Sequence, residues 1–228
     1  MDQLTLIGRF AVWALPVLFA ITLHEVAHGW VAKELGDETA DRLGRLTLNP
    51  LKHIDPLGTI IIPGLMLVFG GFLFGWARPV PVDWSKLNHP KRDVGLVAAA
   101  GPFANLLMVV FWIMVAKLAL SIAVPSFSRP LIYMAAAGIY INLMLMLINL
   151  VPLPPLDGGR IITSLLPERW AYQFAQLERY GLIILLLLIS TPILSMLLGG
   201  PMNYLLGHSL ISAGIPFGIL FQLMGSGG

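Results

Sequence analysis

The sequence predicts an α-helical membrane protein that crosses the bilayer several times. Of its 228 residues, 57% are hydrophobic and only 11% are charged, and the mean hydropathy is +0.83. A soluble domain of this length cannot bury so much apolar surface. The apolar residues are spread along the chain, which indicates a single membrane-embedded domain over residues 1–224. Residues 225–228 are predicted to be a flexible tail or a cloning remnant.

About five segments are predicted to be membrane-spanning helices. The first, residues 4–35, contains Pro16, which predicts a kink. It is apolar like a signal peptide, but it lacks a basic start, so we expect it to be retained. The other spans are predicted over residues 94–120, 131–151, 180–198 and, more weakly because of Gly214 and Pro216, 204–224. Residues 161–176 are predicted to lie at the membrane interface.

Residues 57–76 are also apolar, but they fit a re-entrant hairpin better than a full crossing. Both flanks carry basic residues, and prolines and glycines at 63–64 and 70–71 interrupt the segment. Such irregular backbone is tolerated at membrane depth only when protein covers it or it lines a cavity. On either side, residues 45–48 and 77–82 are predicted to form short strands, and the prolines of the second suit a sheet edge.

Basic residues in the connecting segments predict which side of the membrane each segment faces. The larger group comprises Lys33, Arg42, Arg45, Lys52, Arg78, Lys86, Lys91, Arg92, Arg160, Arg169 and Arg179. The opposite side has Arg9, Lys117 and Arg129. By the positive-inside rule, we expect the larger group in the cytoplasm and the N-terminus outside.

The composition also limits the possible partners. The formal net charge is +2, and no basic cluster indicates binding to nucleic acid. The chain contains no cysteine, which excludes disulfides and thiolate metal ligands. The lipid bilayer is the partner that the composition indicates directly.

His24, Glu25 and His28 form an H-E-x-x-H pattern in the first predicted helix. Residues four apart share one face of a helix, so both imidazoles can bind one zinc ion, and Glu25 can accept a proton from water. A helix with a polar face is the simpler alternative. A charge within the membrane costs about 2.5–3.5 kcal/mol even on the lowest scales, which favours a functional role. Lys33 lies about 7–8 Å beyond His28, so we expect the metal near the cytoplasmic surface.

Asp157 is the best candidate for a third metal ligand. A catalytic zinc ion takes three protein ligands and leaves a fourth position for water. The other carboxylates after the first helix lie in loops or at the interface. Asp157 follows a proline-rich turn at residues 152–155 and precedes Gly158 and Gly159. Taken alone, it is equally well explained as a turn or helix-capping aspartate.

Three groups of residues together resemble the site-2 protease family of intramembrane zinc metalloproteases, peptidase family M50. They are residues 24–28, the Gly-Pro-Phe-Ala-Asn run at 101–105, and the run from Asn149 to Gly158, in the order typical of the family. The spacing from Asn149 to Pro152 is longer than the family's adjacent Asn-Pro pair. The chain lacks a PDZ-like insertion and a CBS (cystathionine-synthase-like) domain, and its His-x-Asp-Pro element at 53–56 is typical of the short members.

This resemblance implies a zinc site and a substrate class. It implies one zinc ion per chain, bound by His24, His28 and Asp157, with Glu25 as the catalytic glutamate. The implied substrates are membrane-anchored proteins that are cut within or beside a transmembrane segment. We expect an integral protein of a prokaryotic cell membrane, which either releases a regulator or clears signal-peptide remnants.

Peptide hydrolysis requires further groups around the metal. The tetrahedral oxyanion needs a donor besides zinc, and Asn149 and Asn105 are candidates, with interhelical hydrogen bonding as the alternative for each. A substrate must present extended backbone because a helix hides its carbonyl groups. The predicted strand that contains Arg78, Pro79 and Val80 is a candidate for binding it by strand addition.

The other histidines have simpler interpretations. His53, beside Asp55, is expected to be structural or to support the metal site. His89 is expected to be solvated among charged neighbours, and His208 to make a packing or interhelical contact.

Two other functions remain open on the sequence. An intramembrane metal or proton transporter also needs buried ionisable groups, although it does not explain why Glu25 follows His24 directly. A catalytically inactive membrane scaffold has no use for Glu25. A transporter moves metal without proteolysis, and a scaffold works without zinc.

Overall fold

The computed structural model describes residues 6–61 and 78–224, and this part of the chain is predominantly helical. The α-helices are α1 (Leu6–Glu34), α2 (Thr39–Arg42), α3 (Pro90–Ser121), α4 (Pro125–Asn149), α5 (Asp157–Leu165), α6 (Glu168–Ala175), α7 (Glu178–Ser190), α8 (Ile193–Ala213) and α9 (Phe217–Met224). Two 3-10 helices, Pro50–His53 and Trp84–Lys86, and a π-helical turn, Pro56–Ile61, lie between α2 and α3.

Three of these helices are long and apolar enough to cross a membrane. They are α1, within which the candidate span is Phe10–Glu34, and the whole of α3 and α4. Two further spans are possible if each bent helix pair counts as one: α6 with α7, bent by 60°, and α8 with α9, bent by 116°. The described part of the chain is therefore helical, with three to five candidate membrane spans.

Helix α3 is the centre of the arrangement and packs against α1, α4 and α5. Small residues allow its close approach to α4, where Ala135, Ala136 and Ala137 are fully buried. A Cβ atom at Gly138 would lie 2.3 Å from the ring of Trp112 on α3, so only glycine leaves room for the indole there. The core continues to α8 and α9, with Leu210 buried among these helices. This packing fixes the relative positions of the helices that carry the functional side chains.

The predicted spans agree with the helices at most ends but not at all of them. Instead of 94–120 and 131–151, α3 and α4 begin four and six residues earlier, each with a proline in its first turn. The predicted continuous span 180–198 is wrong, because α7 ends at Ser190 and Thr191 is extended. The residue before a proline, here Pro192, is disfavoured in helical conformation.

The C-terminal interruption is confirmed, but the helix before it begins earlier than predicted. Helix α8 begins at Ile193 and ends before Gly214, which has a left-handed φ of +71°. Pro216 follows, and α9 begins immediately after it. The predicted interfacial stretch 161–176 is divided between α5 and α6 at Leu166 and Pro167.

The predicted strands are not confirmed. No strand occurs within residues 6–61 and 78–224, and the segments 45–48 and 78–82 are irregular. Of the predicted re-entrant hairpin, residues 57–61 belong to the π-helical turn, and 62–76 lie outside the described residues.

Candidate metal centre

His24, His28 and Asp157 come together between α1 and the first turn of α5. The Nε2 atoms of the two histidines are 3.1 Å apart, and the Asp157 Oδ2 atom lies 3.2 Å from one and 3.3 Å from the other. The three side chains are only 10%, 12% and 13% exposed. Within the described residues, they are the one group of three such side chains with ligand atoms this close together.

Helix α3 orients both imidazoles through their Nδ1 atoms. His28 Nδ1 lies 2.7 Å from the carbonyl oxygen of Val97, and His24 Nδ1 lies 2.6 Å from Oδ1 of Asn105. Both partners are acceptors, so each Nδ1 carries the proton. Each Nε2 therefore presents a lone pair to the other ligands, which is the tautomer that binds a metal.

A buried chain of amides fixes the orientation of Asn105. Its Nδ2 donates to the carbonyl of Ala20 at 3.3 Å and to Oδ1 of Asn142 on α4 at 2.9 Å. Asn142 in turn donates to the carbonyl of Gly138 at 2.8 Å, and both asparagines are fully buried. Because both donors of Asn105 are used, its oxygen must face His24. This geometry favours a role in orienting His24 over the predicted role as an oxyanion donor.

Gly101 leaves the space that the imidazoles occupy. A Cβ atom at this position would lie 2.4 Å from His28 Nε2 and 2.5 Å from His24 Cε1. Such distances do not occur between a real Cβ and its neighbours, so the site requires glycine on this face of α3. Gly101 therefore does more than allow close helix packing, because it leaves room for both imidazoles.

The turn before α5 brings Asp157 to the histidines. A Cβ atom at Gly158 would lie 2.4 Å from the carbonyl oxygen of Leu150, and one at Gly159 would lie 2.3 Å from the nitrogen of Pro154. The two glycines therefore allow the proline-rich turn to fold directly against the first turn of α5. Asp157 is the first residue of that helix, where the macrodipole favours a negative charge.

The three ligand atoms fit a zinc ion. At zinc–ligand distances of about 2.0–2.1 Å, the edges of a tetrahedron are about 3.3 Å long, close to the spacing of these atoms. Asp157 Oδ2 is buried and has no hydrogen-bond donor. One carboxylate facing two lone pairs needs a cation between them.

Glu25 projects beside this group and contacts a different part of the chain. Its Oε2 accepts a hydrogen bond from the backbone N–H of Val80 at 2.8 Å. One helical turn later, a Cβ atom at Gly29 would lie 2.6 Å from Cγ1 of Val80. Val80 therefore contacts helix α1 twice, with its backbone N–H at Glu25 and with its side chain at Gly29. These contacts place the 78–83 segment beside the metal centre.

The structure places the other predicted site residues as follows. Asn149 is half-buried, and its amide donates to the carbonyl of Leu145 in its own helix at 3.0 Å. Arg78 and Pro79 are exposed, and their carbonyl groups accept hydrogen bonds from Arg45.

The remaining histidines lie outside the ligand group. His53 is buried, its Nε2 lies 2.9 Å from the carbonyl of Thr47, and its own carbonyl accepts the N–H of Arg78. These contacts favour the structural interpretation of His53. His89 is largely exposed beside Asp93, and His208 contacts the Tyr204 carbonyl within its own helix rather than another helix.

The chain matches one protein-family model and several named proteins. The model of "Peptidase family M50" matches residues 113–190, which include Asn149 and Asp157. The protein YwhC of Bacillus subtilis is 43% identical over 190 residues, covering 82% of this chain and 84% of the relative. The chain belongs to peptidase family M50. Rip2 of Mycolicibacterium smegmatis is 29% identical over 194 residues, covering 84% of this chain and 71% of the relative.

The similarity extends to a further relative. Rip2 of Mycobacterium tuberculosis strain H37Rv is 26% identical over 206 residues, covering 86% of this chain and 75% of the relative. These relatives share the name "Putative zinc metalloprotease". No solved structure matches the chain. The resemblance to the site-2 protease family is confirmed, and the chain is a member of a metalloprotease family with membrane-type helices.

Several groups around the candidate metal centre could not be predicted from the sequence. The acceptor for His28 is a backbone carbonyl, Val97, which no side-chain pattern can indicate. In the sequence, Asn142 is no more than a polar residue in an apolar segment. Gly101 lies in the Gly-Pro-Phe-Ala-Asn run, four residues before Asn105. This spacing places both residues on one face of a helix, which was the signal that they act at the same site.

Proposed function

We propose that this M50 member is an intramembrane zinc endopeptidase that hydrolyses peptide bonds within or beside the transmembrane segments of membrane-anchored proteins. The observation that carries the proposal is the spacing of 3.1–3.3 Å among His24 Nε2, His28 Nε2 and Asp157 Oδ2. The two histidines lie on a helix that is long and apolar enough to cross a membrane. A protease built in this way reaches bonds that a soluble enzyme does not.

One zinc ion per chain is proposed to bind His24, His28 and Asp157. A bound zinc ion supplies Lewis acidity, which polarises a carbonyl group and acidifies water. The chain holds the ligand atoms ready for the ion, because Val97 and Asn105 keep the protons of both imidazoles on the side away from Asp157.

Glu25 is proposed as the general base. Its carboxylate lies on α1 directly after a ligand and is oriented by the Val80 N–H, so it can accept a proton from the attacking water and return it to the leaving nitrogen. Asn149 remains the proposed donor to the oxyanion, since its amide has a second hydrogen besides the one directed at Leu145.

The substrate is proposed to lie extended along Arg78, Pro79 and Val80. These residues have no regular structure, and they pass directly beside Glu25. Pairing with backbone in this way requires the substrate helix to unwind, which exposes its peptide groups. The distribution of basic residues supports an orientation with this region on the cytoplasmic side of a prokaryotic cell membrane.

Replacement of Glu25 by glutamine tests the proposed function. Glu25→Gln keeps an oxygen that can accept the Val80 N–H but removes the proton acceptor. Cleavage of a fluorescent single-span peptide in lipid vesicles is expected to fall by about 10²–10⁴-fold. Zinc content, measured on the same preparation, is expected to stay at one ion per chain.

Two results would count against the proposal. Cleavage at the parental rate in Glu25→Gln would remove the proteolytic mechanism. Uptake of zinc into the vesicles by parent and variant alike, without cleavage, would instead assign the site to transport.

A further inference from the structure

Backbone hydrogen bonds hold the 78–83 segment beside Glu25, together with the buried side chain of Val80. Pro79 and Pro81 have no N–H, so few donors are available in this stretch. The N–H of Arg78 donates to the carbonyl of His53 at 2.9 Å, and the N–H of Val80 donates to Glu25. The position of the segment therefore depends strongly on what contacts its carbonyl groups.

Arg45 supplies that contact. Its Nη2 atom donates to the carbonyl oxygen of Arg78 at 3.0 Å and to that of Pro79 at 3.3 Å. One nitrogen thus joins two consecutive peptide groups, immediately before the Val80 N–H that reaches Glu25. We call this pair of hydrogen bonds the Arg45 clamp.

The cost of placing Arg45 here indicates a role beyond stability. Its Nε atom is buried and has no hydrogen-bond partner, which is unfavourable for a donor. Burial and the charge of Arg78 lower the pKa of Arg45, whereas Glu25 raises it. The guanidinium therefore lies within electrostatic range of Glu25 while it holds the neighbouring backbone.

The opposite end of the segment has a different anchor. Asp37 is fully buried; it accepts the N–H of Asp83 at 2.7 Å, and also the N–H and hydroxyl of Thr39. This carboxylate ties the far end of the segment to the end of α1. Arg45 contacts the near end of the segment at Arg78, two residues before Val80, which contacts Glu25.

We infer that Arg45 is a positioning residue of the active site. By clamping the carbonyl groups of Arg78 and Pro79, it keeps the Val80 N–H on Glu25 and holds the 78–83 segment where an extended substrate binds. The consequence for cleavage rests on the proposed function; the consequence for the position of the segment does not.

Hydrogen exchange of the segment, measured without substrate, tests this role. Arg45→Met keeps the aliphatic stem but removes the donors. Exchange of the N–H groups in residues 78–83, followed by mass spectrometry, is expected to accelerate about tenfold or more, the effect of losing charged hydrogen bonds. Zinc content and Tm are expected to stay at the parental values, and kcat/KM is expected to fall about tenfold.

Two further variants make the test specific. Arg45→Lys keeps a cationic donor and is expected to exchange within about threefold of the parent, since a single nitrogen makes both contacts. Arg42→Met is the matched control, because Arg42 is exposed and pairs with Glu38; it is expected to leave exchange in 78–83 unchanged.

The outcomes separate this inference from the proposed function. Parental exchange in Arg45→Met, or exchange in Arg45→Lys more than about tenfold faster than in the parent, overturns the Arg45 clamp. If Arg45→Met does not fold, the Arg45→Lys result alone decides. Faster exchange in Arg45→Met with no cleavage by the parent would sustain the clamp and contradict the protease.

Discussion

The metal centre and the 78–83 segment are held in place by different kinds of contact. The candidate metal ligands are side chains on helices, and the partners of the two histidines on α3 are a carbonyl group and a buried amide. The 78–83 segment has no regular structure, and its backbone binds the side chains of Glu25, Arg45 and Asp37. Contacts made by the side chains of the metal centre thus hold the first region in place, and contacts made by the backbone of residues 78–83 hold the second.

This difference indicates which kind of substitution disrupts each region. The metal centre is sensitive to volume and to the loss of an acceptor, because three ligand atoms lie within 3.3 Å of one another. The segment is sensitive to the loss of a donor, because prolines limit its own hydrogen bonding. Changes in one region should leave the other intact.

The largest effect is expected from added volume at Gly101. In Gly101→Ala, the new Cβ would collide with both imidazoles at about their ligand atoms. We expect the zinc dissociation constant to rise at least about hundredfold, beyond what the loss of an outer hydrogen bond causes. Competition with a chromophoric chelator measures this value.

Gly199→Ala is the matched control for that change. An added Cβ at Gly199, in α8, meets no atom within 4 Å. We expect unchanged zinc affinity and a gain in stability of up to about 1 kcal/mol from helix propensity. Equal zinc affinities in Gly101→Ala and Gly199→Ala would mean that α3 does not face the metal as described.

A smaller effect is expected from Asn105, and it should differ in kind from that of Asn149. Asn105→Leu removes the acceptor for His24 Nδ1, so the zinc dissociation constant should rise about 10–100-fold. Asn149→Leu should leave zinc binding unchanged but lower kcat by about 10²–10³-fold, as for a lost oxyanion donor. Measuring affinity and kcat on both variants separates the two roles. If Asn149→Leu lost zinc affinity and Asn105→Leu did not, the roles assigned to the two asparagines would be reversed.

The three candidate ligands, which the structure brings together, could be proposed from the sequence because their signals are local or chemically restrictive. His24 and His28 are four residues apart on one helix, and few carboxylates other than Asp157 lie beside an apolar segment. The long helices were predicted for a similar reason, since uninterrupted apolar length leaves few alternatives in a membrane. The break at Thr191 was missed because apolar residues continue on both sides of it.

The supporting groups could not be predicted in the same way. Val97 acts through its carbonyl, which every residue possesses, and it lies 69 positions from His28. Arg45 was assigned to the basic, cytoplasmic group by its charge, whereas its specific contact depends on where residues 78–79 fold. The predicted strands are not confirmed, because residues 45–48 and 78–82 have the composition of strands but no regular structure.

The most direct test of the central claim, one zinc ion held by two histidines of α1 and by Asp157, is the zinc affinity of Asp157→Ala. We expect one zinc per parent chain and, in the variant, a dissociation constant raised by more than the roughly 10–100-fold caused by losing an outer hydrogen bond. Glu168→Ala, which alters an exposed acid in the first turn of α6, should bind like the parent. Zinc bound by Asp157→Ala as tightly as by the parent would contradict the claim.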